Sequence, residues 1–171
     1  LERFAAIGRS HRVKTVIDAT FATPYNQRPL EWGVDVVVHS ATKYLGGHND
    51  LMAGAVLASR DLVEAVRGLQ GVTGAVVSPF VAFLLVRGVK TFALRMERHN
   101  ANAQALAEFL ATHPRVERVH YAGLTSHAEH DVAKRQMRGF GVVVSFEVRG
   151  DLAAASRVVD SCRIPYIAVS L

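Results

Sequence analysis

Lys43 occupies a chemically suggestive setting, His39-Ser40-Ala41-Thr42-Lys43-Tyr44-Leu45-Gly46-Gly47, directly after the apolar run 34–38. Small hydroxyl residues precede it and a glycine pair follows. An amine in such a loop can form a Schiff base with an aldehyde. Asp18 lies 25 positions earlier, at the end of a second apolar run, with Thr20 close behind. A carboxylate there can hold a ring nitrogen protonated, so that the ring withdraws electrons from a carbanion. Ser40, Thr42 and the amides of a tight loop can hold a phosphate. Aldehyde, ring nitrogen and phosphate are together the requirements of pyridoxal phosphate. A plainer reading stands beside this one: an Asp that ends a strand is commonly a turn former or cap, and a Lys before glycines a solvated turn residue. Residue types and spacing leave both open.

The elements that must position these groups follow from periodicity. Residues 1–11 read as a helix with Leu1, Phe4, Ala5 and Ile7 on its apolar side, and 13–18 as a short strand. Residues 22–33 contain Pro24, Pro29 and Gly33, leaving little room for a helix. The β-branched run 34–40 predicts a strand buried on both faces of a parallel sheet. A strand is expected over 53–59 and a helix over 60–70. From Ser78 to His113 the pattern is helical, as two helices or one kinked helix, with Pro79 suited to the first turn. Strand 115–123, helix 126–137, strand 141–148, helix 150–162 and a strand beginning near Ile164 predict a second, smaller α/β unit. Asp18, Thr20, Ser40, Thr42 and Lys43 would then share the crevice beyond the carboxyl ends of two strands.

Composition narrows the class. Half of the 171 residues are hydrophobic and a fifth are charged, which predicts a packed core. The single Cys162 forms no internal disulfide and points to a reducing, cytoplasmic compartment. The longest uncharged run, 71–86, is shorter than the ~20 apolar residues of a membrane helix, and Pro79 interrupts it; no membrane association is expected. A net charge of +5 is modest. Arg87, Lys90, Arg95 and Arg98 read as a solvated helix face rather than a nucleic-acid surface. His127 and His130 find no further ligands, so no metal is expected. His48 reads as a loop-shaping residue, and Trp32 and Tyr44 as packing. The chain opens without an initiator Met and closes in an apolar run, which suggests a segment of a longer protein.

The stretch "VIDATFATPYNQRPLEWGVDVVVHSATKYLGGHND" resembles the Cys/Met-metabolism family of pyridoxal-phosphate enzymes, and the likeness continues through "LRMERHNANA", "GFGVVVSFEV" and "IPYIAVSL". The resemblance implies an α/β fold of the aspartate-aminotransferase type: residues 1–95 in the large, mainly parallel-sheet domain and 96–171 in the small C-terminal α/β domain. It implies pyridoxal 5'-phosphate on Lys43, which would also move protons between substrate carbons. It further implies Asp18 at the ring nitrogen, Thr20 beside it, Ser40 and Thr42 at the phosphate, and Ser170 near the substrate carboxylate. The implied reaction is at Cγ of a homoserine-derived amino acid. Replacement of an O-acyl or O-phosphoryl group by cysteine, as in cystathionine γ-synthases, is favoured by "GGHND" and "RIPYIA". The alternatives are elimination, as in cystathionine or methionine γ-lyases, or a catalytically incomplete fragment. The family also implies a homotetramer built from dimers, with an upstream ring-stacking aromatic residue and a downstream carboxylate-binding arginine. Val81, Thr125, Ala128 and Val142 depart from common family residues without touching the cofactor set.

Overall fold

A computed structural model describes residues 1–165, 167 and 168 of the chain. Helix α1 (Glu2–His11) leads into strand β1 (Val16–Asp18), followed by the single turn α2 (Thr23–Asn26) and a 3-10 turn (Pro29–Trp32). Strands β2 (Val36–Ser40) and β3 (Gly54–Ala58) flank the lysine loop. Helices α3 (Arg60–Thr73), α4 (Pro79–Val89) and α5 (Phe92–Ala111) come next, then β4 (Val116–His120), α6 (His130–Gln136), β5 (Ser145–Val148) and α7 (Leu152–Asp160).

The architecture is α/β with mixed sheets. In the first sheet β2 is central, parallel to β1 and antiparallel to β3. Asp18 pairs in register with Val38, so the carboxyl ends of β1 and β2 come side by side. Burial in β2 alternates: Val37 and His39 are buried, while Val36, Val38 and Ser40 are half-buried. The expectation of burial on both faces is met only in that graded form. Strands β4 and β5 form a separate antiparallel pair.

Several local expectations are corrected. Residues 22–33 do hold helix, as two single turns, each accommodating a proline at a first-turn position. Strand β1 starts at Val16 because Thr15 is tied through its amide and hydroxyl to Asp35. Strand β5 begins at Ser145 rather than Gly141; Gly141 has φ +84° and its carbonyl accepts the Tyr121 hydroxyl at 3.0 Å. Helix α6 begins at His130, so His127 precedes it in a turn. Only Ala5 and Gly8 of α1 are buried, whereas Phe4 and Ile7 are exposed. The segment 78–113 is two helices, with Ser78 accepting from the Val81 amide at the start of α4.

Helix α5 ties the two halves together. Its Met96 is fully buried, and the side-chain amides of Asn100 and Asn26 pair at 2.7 and 3.0 Å, linking α5 to α2. Ala103 and Ala107 pack with Tyr121, with Val119, Leu124, Phe140 and Val144 around them. Small residues at this i, i+4 spacing allow close approach to β4. The expected division at 95/96 therefore falls within one continuous helix.

Candidate active site

Parallel pairing of β1 with β2 turns a 25-residue sequence separation into a local cluster. The Thr20 amide donates to Asp18 Oδ1 at 2.8 Å. The Thr20 hydroxyl accepts from the Ser40 amide, also at 2.8 Å. The Lys43 amide donates to the Ser40 carbonyl at 3.1 Å. Asp18, Thr20, Ser40 and Lys43 are thus joined by one line of hydrogen bonds across two strand ends. Thr20 is buried and serves as the bridge, a more specific role than proximity to a ring.

Asp18 faces solvent while its carboxyl is held below the usual range by the Thr20 hydroxyl and amide, with a further contribution from His39. It is therefore ionised at neutral pH, the state needed to hold a ring nitrogen protonated. His39 is buried beneath it; burial pushes its pKa down, against the opposing pull of Asp18 and the Ala19 carbonyl. The sequence reading left His39 unassigned, although a histidine inside an otherwise apolar strand was a visible signal.

The lysine loop is a tight turn, with Gly46 N–H donating to the Ala41 carbonyl at 2.8 Å and Gly47 N–H to the Lys43 carbonyl at 2.7 Å. Gly47 has φ +75°, a conformation for which glycine is suited. His48 meets the Gly46 carbonyl through Nδ1 at 2.8 Å, in keeping with a loop-shaping role. Thr42 Oγ1 accepts from Ala53 N at 3.0 Å and donates to Ala53 O at 3.3 Å, locking the loop to the approach of β3. A phosphate oxygen could replace the more distant carbonyl as the hydroxyl's acceptor. Thr42, Lys43, Tyr44, Gly47, Arg95 and His99 all line a cavity of about 180 Å³.

Arg95 is the main correction to the sequence reading. It is half-buried, not part of a solvated basic face, and donates to the Tyr44 carbonyl at 2.8 Å and the Gly88 carbonyl at 3.0 Å. Arg95 and His99, one helical turn apart on α5, both line the cavity beside the lysine turn, and this i, i+4 pairing is the signal that could have revealed it. Tyr44 packs edge-on to His99, consistent with packing.

Other expected positions lie elsewhere. Ser170 is outside the described residues. His130 meets the Ala122 carbonyl and His127 accepts from the Glu129 amide. Among the described residues no group of three or more His, Cys, Asp or Glu could hold a metal ion, and no helix is long and apolar enough to cross a membrane. A larger cavity, about 890 Å³, opens between α5, β4, β5 and α7 and contains none of the candidate site residues.

The donor set fits pyridoxal phosphate: an ionised carboxylate, hydroxyls at a strand end and an amine on a glycine-bounded turn. Comparisons with known proteins agree with that chemistry. The family described as Cys/Met metabolism PLP-dependent enzyme matches residues 1–171. Chloroplastic cystathionine gamma-synthase 1 of Arabidopsis thaliana is 54% identical over 154 residues, covering 90% of this chain and 27% of that protein. L-methionine gamma-lyase of Pseudomonas putida is 52% identical over 169 residues, 98% of this chain and 42% of that protein. The structure of cystathionine gamma synthase from Xanthomonas oryzae pv. oryzae in complex with cystathionine superposes with a TM-score of 0.97 at 40% identity. It covers 99% of this chain, which spans 44% of that one.

Proposed function

Because the chain belongs to the Cys/Met-metabolism family of pyridoxal-phosphate-dependent enzymes, we propose that it forms part of a trans-sulfuration enzyme acting at Cγ of an activated homoserine. The reaction is γ-replacement: the sulfur of cysteine forms a bond to Cγ, the O-acyl or O-phosphoryl group leaves with its oxygen, and cystathionine results. The carrying observation is the bonded line Asp18–Thr20–Ser40–Lys43 with Asp18 ionised.

Pyridoxal phosphate, when bound, supplies an electron sink for negative charge developing on substrate carbon. Asp18 holds the positive charge on the ring nitrogen. Lys43 holds the cofactor and carries protons between Cα and Cβ of the substrate through its amine. Ser40, the Thr42 hydroxyl and the loop amides would bind the phosphate, and the family likeness assigns Ser170 to the substrate carboxylate. Thr20 keeps Asp18 and Ser40 at fixed separation, so one strand pair would hold both ring and phosphate.

The likeness to a methionine γ-lyase over 98% of the chain supports a second reading. In γ-elimination a thiol leaves, and water releases a 2-oxo acid and ammonia. Substrates are amino acids in either case. The large domain takes residues 1–95 and the small domain 96–171, in a complete protein assembled as a tetramer of paired dimers. A lone exposed Cys162 fits a reducing compartment such as the cytoplasm; plant relatives are named chloroplastic.

The test uses the complete enzyme loaded with cofactor. Borohydride reduction and peptide mapping are expected to place the phosphopyridoxyl group on Lys43; an adduct on another lysine overturns the assignment. Supplying the homoserine ester with saturating cysteine is expected to yield cystathionine. Predominant 2-oxobutanoate release under those conditions selects the elimination reading.

A further inference from the structure

The turn that carries Lys43 lies against the junction of α4 and α5. A Cβ on Gly88 would strike the Gly46 carbonyl, and one on Gly47 would strike the Arg95 guanidinium. Gly88 therefore meets the turn backbone to backbone, an approach that a side chain there would block, while Gly47, at φ +75°, leaves the space that the Arg95 fork fills. Into this junction Arg95 projects its whole fork. Nη1 donates to the Tyr44 carbonyl at 2.8 Å, while Nη2 reaches the Gly88 carbonyl at 3.0 Å and the Leu45 carbonyl at 3.5 Å. Nε donates to the Thr91 hydroxyl at 3.2 Å, and the guanidinium lies 5.9 Å from the centre of the Phe92 ring.

This is an uncommon use of a half-buried cation. Among the described residues, the Arg95 guanidinium meets carbonyl oxygens and no carboxylate. Two of the carbonyls it meets, those of Tyr44 and Leu45, are ones the turn leaves over, and the third, that of Gly88 at the end of α4, also accepts from Thr91. Ala41 and Lys43 already accept from Gly46 and Gly47, and the Gly46 carbonyl accepts from His48. Tyr44 and Leu45 end the turn, where carbonyls lack backbone partners and a positive charge is favourable. A planar fork reaches several of them at once, which an ammonium on a flexible stem does not.

We propose that Arg95 is the positioning residue of the lysine turn: seated on the Tyr44, Leu45 and Gly88 carbonyls, it fixes the backbone that presents Lys43. The role builds on the proposed chemistry of Lys43, but the placement of the turn can be measured without cofactor. Tyr44, Lys43 and Arg95 line the same small cavity, so movement of the fork is transmitted to the segment bearing the amine. Misplacement of a reacting group by about 1 Å can cost about 100-fold in rate.

The experiment compares Arg95→Met, Arg95→Lys and Arg98→Met in the complete enzyme. Arg98 is an exposed residue on the same helix and serves as the control. In cofactor-free protein, hydrogen exchange at the Gly46 and Gly47 amides is expected to speed up at least about tenfold in Arg95→Met. That corresponds to about 1.4 kcal/mol less protection, with β1 and β2 unchanged. In loaded protein, kcat is expected to fall about 10- to 100-fold, with KM moving far less. The visible circular dichroism of the bound cofactor should weaken, and added guanidinium ion should restore part of it. Arg95→Lys should fall between, and Arg98→Met should match wild type. Unchanged exchange at Gly46 and Gly47 in Arg95→Met overturns the proposal. So does a loss of kcat that guanidinium leaves unrelieved and that tracks global unfolding. An adduct away from Lys43 in wild type counts against the proposed function alone, because the exchange measurement needs no cofactor.

Discussion

At the scale of single residues, Asp18 and Thr20 divide the work of the strand end. Asp18 keeps an ionised carboxylate open to solvent, and Thr20 spends its amide on Asp18 and its hydroxyl oxygen on the Ser40 amide. The charge on Asp18, rather than its shape, carries the chemistry. Asp18→Asn is therefore expected to keep most cofactor contacts while weakening the electron sink. In the complete enzyme kcat should fall by about 100-fold or more, the size of loss seen on removing one electrostatic stabiliser. Cofactor retention should change by less than about tenfold, since the phosphate and lysine contacts remain. Steady-state kinetics alongside equilibrium dialysis of the cofactor separates the two. Near-normal turnover removes Asp18 from the ring nitrogen.

At the scale of elements, the register that creates the site is set where β1 and β2 begin. Asp35 accepts from Thr15 N and Thr15 Oγ1 at 2.9 Å each, receives Lys14 Nζ at 2.8 Å, and donates its own amide to Thr15 Oγ1 at 3.1 Å. These bonds stand one residue ahead of the Val16–Val36 pair. Lys14 first, then the Thr15 amide and hydroxyl, hold the Asp35 carboxyl well below the usual carboxylate range. A depressed folded-state pKa contributes stability that is present above the unfolded value, about 3.9, and lost as pH falls toward the folded value. Asp35→Asn is expected to be less stable at neutral pH, with the gap to wild type closing progressively below about pH 4. Denaturant midpoints measured across that range test this; a gap independent of pH assigns the effect to hydrogen bonding without charge.

At the scale of the whole molecule, the described surface is unusually apolar along α4. Phe80, Phe83 and Val86 are 67%, 62% and 62% exposed at three-residue intervals, so they lie along one side of the helix. Apolar stripes of this kind drive association in water. The 171-residue chain on its own is expected to self-associate with rising concentration, and Phe80→Glu with Phe83→Glu to shift it toward monomer. Sedimentation velocity reads both; a wild-type monomer at all concentrations contradicts the expectation. Much of the molecule was legible beforehand, and for local reasons. The β-branched run announced β2, Ser78-Pro79 the start of α4, and the Ser-Ala-Thr-Lys turn with its glycines the position of the amine. These signals act within a few residues: side-chain packing on a strand, a cap at i+3, a glycine where φ turns positive. The family likeness named Lys43, Asp18 and the cofactor on the same local grounds. What only tertiary structure decided was which distant groups share a hydrogen bond. Parallel pairing made Thr20 the bridge from Asp18 to Ser40, and packing of α5 on the lysine turn carried Arg95 across 51 positions to the Tyr44 carbonyl. An arginine on a helix has the same local preferences whether solvent or backbone carbonyls receive it. The leftover carbonyls that claim Arg95 exist only once the turn has closed and the helix has docked.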